Sequence, residues 1–311
     1  MASTLTLTLN PTIDKSAEVD HVTSEKKLRC RSPRYEPGGG GLNVSRAIRK
    51  LGGESTALYL AGGLQGRRLQ DLLDEEKLDH RPIPIAEPTR ENLIVYEDKS
   101  GEQYRFGMPG PEVSESEWRG LLDSLRDRDP APDYLVASGS QPPGVPDDFY
   151  ARLARLCRER EIRMILDASG PPLVEAIREG VFLVKPNVAE LRTLAGTDDF
   201  QDEAELEELA CRLTRDGVIE VVVASLGAAG AKLAWKDQCR RLRAPTVSIK
   251  SKVGAGDSMV AGIVLGLARG QSIPDAARFG VAAGAAAVMT PGTELCRRED
   301  AERLFERVSV G

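Results

Sequence analysis

Apolar, β-branched runs alternate with amphipathic stretches along most of this chain. The runs predict strands over Thr4–Leu9, Thr56–Ala61, Tyr134–Ser138, Arg163–Asp167, Phe182–Lys185 and Glu220–Ser225. Between them, apolar residues recur at helical spacing over Val44–Leu51, Arg67–Glu76, Glu115–Arg126, Asp148–Arg160 and Glu203–Arg215. Such a βαβα rhythm implies an α/β fold, a mostly parallel sheet covered by helices on both faces. Functional sites in sheets of this kind lie beyond the carboxyl ends of the strands.

Two stretches break the rhythm. Residues of about 12–36 and 88–109 hold no good helix, and they contain alternating runs such as Asn92-Leu-Ile-Val-Tyr-Glu97 and Gln103-Tyr-Arg-Phe106. They read as antiparallel strands set apart from the main sheet, a small lid. A lid this small has little core of its own, so an exposed apolar face favours pairing with a second subunit, a homodimer. Towards the end, Met259–Leu267 and Ala276–Met289 read as consecutive helices rich in Ala and Gly, whose small side chains permit close packing. No internal repeat, linker or low-complexity segment divides the chain, so a single domain spanning 1–311 is expected.

Composition narrows the function classes. A net charge of −6 argues against a general nucleic-acid or membrane-surface binder, so any basic cluster is read as local and aimed at a small anion. No apolar run approaches the roughly 20 residues that cross a bilayer. The opening Met-Ala-Ser-Thr-Leu-Thr-Leu-Thr-Leu alternates like a strand and lacks the charge of a signal peptide. Five cysteines are odd in number and lack metal-ligand spacing, so a reduced, cytoplasmic setting is expected. With only His21 and His80, the composition argues against a His-rich metal site or a Ser-His-Asp hydrolase.

Four motifs carry chemistry. Val253-Gly-Ala-Gly-Asp-Ser258 opens an apolar helix, and the unpaired N–H groups of Gly254, Ala255 and Gly256 suit a phosphate or a developing oxyanion. Asp257 beside them can accept a proton from an attacking hydroxyl, which points to phosphoryl transfer onto an alcohol. Gly38-Gly-Gly-Gly-Leu-Asn43 precedes the helix Val44–Leu51. It reads either as a backbone approach to a sugar, through Gly39, Gly40 and Asn43, or as a flexible loop with Asn43 as N-cap. Lys185-Pro-Asn187-x-x-Glu190 has the form of a capping box, and also of a pair steering the waters of a Mg²⁺ ion. Ser225-Leu-Gly-Ala-Ala-Gly230 reads as a hairpin turn or as the wall of a nucleotide pocket. Lys27, Arg29, Arg90 and Arg105 lie in or beside the lid, either as a solvated face or as a phosphate clamp. Asp14, just after the first strand, pairs with sugar hydroxyls or caps a turn.

Taken in order, these motifs resemble the PfkB branch of the ribokinase family of sugar kinases. The resemblance runs from Thr6-Leu-Thr-Leu-Asn10 nearly to the C-terminus. It includes Lys27-Leu-Arg-Cys30, Glu36-Pro-Gly-Gly-Gly-Gly41, Gly101-Glu-Gln-Tyr-Arg-Phe106, Ser138-Gly-Ser140, Pro142-Pro-Gly144 and Phe279-Gly-Val-Ala-Ala-Gly284. It implies a ribokinase-like three-layer α/β/α sandwich with a β lid, dimeric through lid-to-lid packing. It also implies Asp257 as catalytic base, with Gly254, Ala255 and Gly256 holding the transferred group. Asp14, Gly39 and Asn43 would grip the sugar; Lys27, Arg90 and Ser140 would reach its phosphate, with Arg29 and Tyr104 nearby. Lys185, Asn187, Ser225, Gly227 and Gly230 would contact MgATP, and Asn187 with Glu190 would order magnesium.

The implied reaction is ATP-dependent phosphorylation of fructose 6-phosphate at its C1 hydroxyl. Tagatose 6-phosphate and fructose 1-phosphate are the nearest rival acceptors, and a silent sugar-phosphate-binding regulator is the rival of another class. One departure stands out. Relatives often carry Thr or a similar small residue where this chain has Lys252, beside a monovalent-cation loop. Either the Lys252 ammonium replaces K⁺, or Lys252 faces solvent and K⁺ binds carbonyls near Ser251, Val253, Ala287 and Gly292.

Overall fold

The computed structural model describes residues 2–196, 203–215, 217–236 and 238–311. In chain order the elements are β1 (Thr4–Thr8), β2 (Thr12–Val19), β3 (Arg31–Gly38), α1 (Gly40–Lys50), β4 (Thr56–Ala61), α2 (Gly63–Glu75), β5 (Asp79–Pro84), β6 (Arg90–Glu97) and β7 (Gln103–Phe106). Then follow α3 (Glu115–Arg126), β8 (Tyr134–Ser138), α4 (Phe149–Glu159), β9 (Arg163–Asp167), α5 (Pro171–Glu179), β10 (Val181–Val184), α6 (Val188–Ala195) and α7 (Glu203–Arg215). The last elements are β11 (Ile219–Ser225), β12 (Ala231–Trp235), β13 (Gln238–Arg243), α8 (Ala255–Ala268), α9 (Ile273–Ala287), α10 (Arg298–Phe305) and β14 (Ser309–Val310).

Ten strands form the main sheet in the order β14-β13-β12-β11-β10-β9-β8-β1-β4-β5. From β11 to β5 all neighbours are parallel; β12, β13 and β14 add an antiparallel edge. The expected strands are all present. Their run-like hydrophobicity follows from burial on both faces. On β11, Val221 and Val223 pack with α8 and α9, whereas Val222 and Ala224 pack with α4 to α7. That alternation makes the three-layer α/β/α sandwich of the ribokinase-like fold.

Periodicity missed β5, β12, β13 and β14, for a physical reason. The edge strand β5 tolerates the prolines of Asp79-His-Arg-Pro-Ile-Pro84, and β13, next to the two-residue edge strand β14, tolerates the arginines of Gln238-Cys-Arg-Arg-Leu-Arg243, because most residues of each are at least partly exposed to solvent.

The lid is a separate four-stranded sheet in the order β3-β2-β6-β7. It is mixed and not wholly antiparallel as expected: β2 and β6 run parallel over eight residue pairs. The cause is its origin. β2 extends the chain out of β1 and β6 out of β5, and β1, β4 and β5 are parallel neighbours in the main sheet, so both extensions leave in the same sense.

The cysteines also depart from the expected reduced set. Cys211 on α7 and Cys239 on β13 form a disulfide across 28 residues, because α7 packs over the β11–β12 side of the sheet next to that edge. Among the described residues no helix is long and apolar enough to cross a membrane.

Candidate active site

The chemistry-bearing motifs converge above the carboxyl ends of the parallel strands: Asn10 and Asp14 after β1, Ser138–Ser140 on β8, Asp167 on β9, Lys185 and Asn187 after β10, and Ser225 on β11. Helix α8 points its N-terminus at the same place. Its N-cap, Gly254, is left-handed at φ 73°, and a Cβ there would stand 2.5 Å from Leu295 Cδ2, so both backbone and space demand glycine. Among the described residues, no main-chain carbonyl accepts from the N–H groups of Gly254, Ala255 and Gly256. They form a ready anion hole.

Asp257 lies in the first turn of α8. Its carboxyl is pushed up to about 6, chiefly by burial and then by the neighbouring Asp167 charge. Asn43, Lys185 and Arg46 pull in the opposite direction. Asn43 Nδ2 donates to Asp257 Oδ2 at 2.9 Å, across 214 residues of sequence. Lys185 is 5% exposed and pairs with Asp167 at 3.1 Å, and its Nζ lies against Gly256, 3.7 Å from where a Cβ would stand. Burial depresses the Lys185 ammonium, but Asp167 with Glu190 and Asp257 outweighs it and raises its pKa overall. A cation is therefore held beside the anion hole.

Neighbouring protein constrains the Gly38–Gly41 stretch, which runs from the end of β3 into α1. A Cβ at Gly38 would meet Asp14 Oδ2, at Gly40 the end of β8, and at Gly41 the Leu7 carbonyl. Each glycine is required by neighbouring protein, and the loop is threaded between β1, β8 and the lid. Its register is held by Leu42 N donating to Thr8 Oγ1 at 2.8 Å. Asn43 lies inside α1, which starts at Gly40, so it is not the N-cap.

Asp14 accepts from Asn92 Nδ2 at 2.9 Å; burial raises its pKa, against pulls from Asn92, Arg105 and Arg90. Arg90 donates to the carbonyls of Met108 and Asn10, and burial lowers its pKa. Asn10 in turn donates to Ser140 Oγ at 3.1 Å. Two buried polar atoms here, Asn10 Oδ1 and Arg90 Nε, have no protein partner. Arg90 and Asn92 also line a cleft of about 560 Å³ that runs past Met108 and Gly110.

After β10, Asn187 and Glu190 bear out the capping-box reading. They form a full capping box, with Asn187 N to Glu190 Oε2 at 2.8 Å and Glu190 N to Asn187 Oδ1 at 2.9 Å. Glu190 Oε1 is left without a protein partner among the described residues, and burial raises the carboxyl's pKa. Ser225 bridges to Asn187, its N–H bonding the Pro186 carbonyl at 2.8 Å. The turn after it is the β11–β12 hairpin. Gly227 faces open space there, whereas Gly230 is glycine because the Leu242 carbonyl occupies the position of its Cβ.

Three expected substrate residues are not brought to this cluster. Lys27 and Arg29 are exposed on the loop joining β2 to β3, and Tyr104 bonds Glu97 and Glu102 on the lid. Arg105, next to Tyr104, is with Arg90 a lid residue whose charge reaches Asp14. Lys252 is exposed and has no ion pair among the described residues. No main-chain N–H donates to the Ser251, Val253 or Gly292 carbonyls among the described residues, whereas Ala287 O already accepts from Thr290. Asp167, Asn10 and Arg46 were missed from sequence. The one available signal was Asp167, a carboxylate closing the apolar run Met164-Ile-Leu-Asp167 at a strand's carboxyl end.

A base, an anion hole and a buried cation on a ribokinase-like sheet define a phosphotransferase. The chain belongs to the pfkB family of carbohydrate kinases, whose model matches residues 7–300. It is 46% identical over 302 residues to the ATP-dependent 6-phosphofructokinase isozyme 2 of Mycobacterium tuberculosis, covering 97% of this chain and 88% of that one. To the isozyme 2 of Escherichia coli it is 40% identical over 310 residues, covering 99% and 100%. The solved structures of the E. coli enzyme with potassium and with fructose 6-phosphate align with TM-scores of 0.94 and 0.92 at 40% and 39% identity, covering 99% of each chain.

Proposed function

We propose that this kinase transfers the γ-phosphoryl group of ATP to the C1 hydroxyl of fructose 6-phosphate, giving fructose 1,6-bisphosphate. The observation that carries the reading is Asp257, a carboxylate of raised pKa at the mouth of the α8 anion hole. Near-full-length identity to two enzymes named for this activity supports the choice of acceptor.

Asp257 takes the acceptor proton as the new P–O bond forms and the bond from the γ-phosphorus to the β–γ bridging oxygen breaks, with ADP as leaving group, while the N–H groups of Gly254, Ala255 and Gly256 hold the charge on the moving group. Lys185 adds its cation at the same point. Asp14 and Asn43, with the Gly39–Gly40 main chain, orient sugar hydroxyls. Arg90, Ser140 and Arg105 face the sugar's phosphate; the orphan Arg90 Nε and Asn10 Oδ1 supply unspent hydrogen-bonding capacity there. Lys185, Asn187, Ser225 and Gly227 line the nucleotide. Magnesium, when bound with ATP, neutralises phosphate charge, and Glu190 Oε1 with Asn187 would hold it through water. The free carbonyls of Ser251, Val253 and Gly292 suit a potassium ion, with Lys252 in solvent.

The whole chain acts as one domain with a discontinuous lid. It works as a homodimer through that lid, since Leu28, Phe106 and Met108 are exposed there at 37%, 49% and 46%. We place it in the cytoplasm, where the Cys211–Cys239 bond would form only under oxidation.

The deciding experiment measures ADP release with fructose 6-phosphate, fructose 1-phosphate, tagatose 6-phosphate, ribose and adenosine, with Asp257→Asn as control. Fructose 6-phosphate should give the highest kcat/KM. Preference for ribose or adenosine would sink the phosphate assignment, and a winning rival hexose phosphate would change the acceptor alone.

A further inference from the structure

Arg46 follows Asn43 by three residues on α1, so the two side chains leave the same face of the helix. Arg46 is 3% exposed, and its Nη2 lies 3.8 Å from Glu36 Oε1 on β3. Nε donates to both Glu76 oxygens at 3.0 and 2.8 Å, and Nη2 donates to Glu76 Oε1 at 2.6 Å. Nη1 donates to the Pro37 carbonyl at 2.8 Å and to Asn43 Oδ1 at 3.3 Å. Glu76 ends α2, and Pro37 stands at the root of the lid where β3 leads into the glycine loop. One guanidinium thus joins the end of α2, the foot of the lid and the amide that holds Asp257.

The Asn43 contact has a directional consequence. A primary amide has one acceptor end and one donor end. With Oδ1 against a cation, Nδ2 is left to donate to Asp257. The flipped amide would set an oxygen against the carboxylate and an NH₂ against the guanidinium, two repulsive contacts in place of two attractive ones. We propose that Arg46 is a positioning residue for phosphoryl transfer: it fixes the orientation of the Asn43 amide, and through it the placement of the Asp257 carboxylate, and ties that placement to the base of the lid. The inference rests on Asp257 being the base. Arg46 itself touches no reacting atom.

The test is a kinetic double-mutant cycle with wild type, Arg46→Met, Asn43→Ala and the double variant, with Asp257→Asn run alongside. A misplaced base should cost Arg46→Met about 10²-fold in kcat while KM for ATP stays within about twofold. With no amide left to orient, the double variant's kcat should match that of Asn43→Ala within about twofold. Independent, multiplying losses, or an unchanged kcat in Arg46→Met, would overturn the proposal.

Because Arg46→Met strands Glu76, the cycle is repeated on Arg46→Met/Glu76→Met, which replaces the ion pair by an apolar one and keeps the fold testable. A kcat loss in the first variant that this pair restores to wild type would mark Arg46 as structural and overturn its positioning role. Full kcat in Asp257→Asn would remove the base assignment and this inference with it. An inactive Asp257→Asn together with a multiplicative cycle would overturn the role of Arg46 alone.

Discussion

Asp257 concentrates the conflict between stability and function in single side chains. Its carboxyl has a folded pKa of about 6 against an ordinary 3.8, so between those values the native state holds a proton that the unfolded chain lacks. Ionising it therefore costs stability above about pH 6, and the cost disappears as pH falls through the ordinary carboxylate value. Asp257→Asn should raise the melting temperature at pH 8, with the gap to wild type closing near pH 4; a calorimetric series across that range checks it. The same variant should lose about 10²–10⁴-fold in kcat. In wild type, kcat/KM should fall as pH drops through about 6, since the proposed base of the free enzyme must be ionised. Arg90 has the opposite profile, since its proposed role is to bind the sugar's phosphate and not to move a proton. Arg90→Met should raise KM for the sugar phosphate by about 10–100-fold, one to two lost charge-assisted hydrogen bonds, and leave KM for ATP unchanged in initial-rate measurements.

Secondary-structure elements show how far a pattern can be read. The central strands and the long helices were legible because burial on a defined face writes itself into periodicity. The outer strands β5 and β13 were not, because a half-solvated strand carries no such requirement. The Asn187–Glu190 pair shows why motif readings need not compete: a capping box uses one carboxylate oxygen and leaves the other free. Helices α8 and α9 confirm the reading of Ala and Gly as a close-packing surface. A Cβ at Gly262 would stand 2.9 Å from Gly280 Cα, so the two axes approach over bare backbone. Gly262→Val should therefore force these helices apart and cost about 1–3 kcal/mol of unfolding free energy in a urea titration. The α8 N-terminus moves with its helix, so kcat should fall in the folded fraction as well.

The molecule as a whole carries a net charge of −6 yet takes an anionic substrate and an anionic nucleotide. We propose that it does so by gathering cations locally, Lys185 just after β10 and Arg90 and Arg105 in the lid. The lid also exposes the apolar side chains that a second copy would cover. Phe106→Asp should shift the protein from dimer to monomer in sedimentation velocity; an unchanged sedimentation coefficient would rule out lid pairing through this residue. The fold class, the lid segments, the glycine-rich loops and Asp257 could all be read from residue order, because each is local: a periodicity, a helix start, a carboxylate beside free N–H groups. The partnership of Asn43 with Asp257, the cation beside Asp167, the parallel pairing of β2 with β6 and the fork of Arg46 could not. They join segments tens to hundreds of residues apart, and which distant side chains meet depends on strand order and lid placement, which no short stretch of chain encodes.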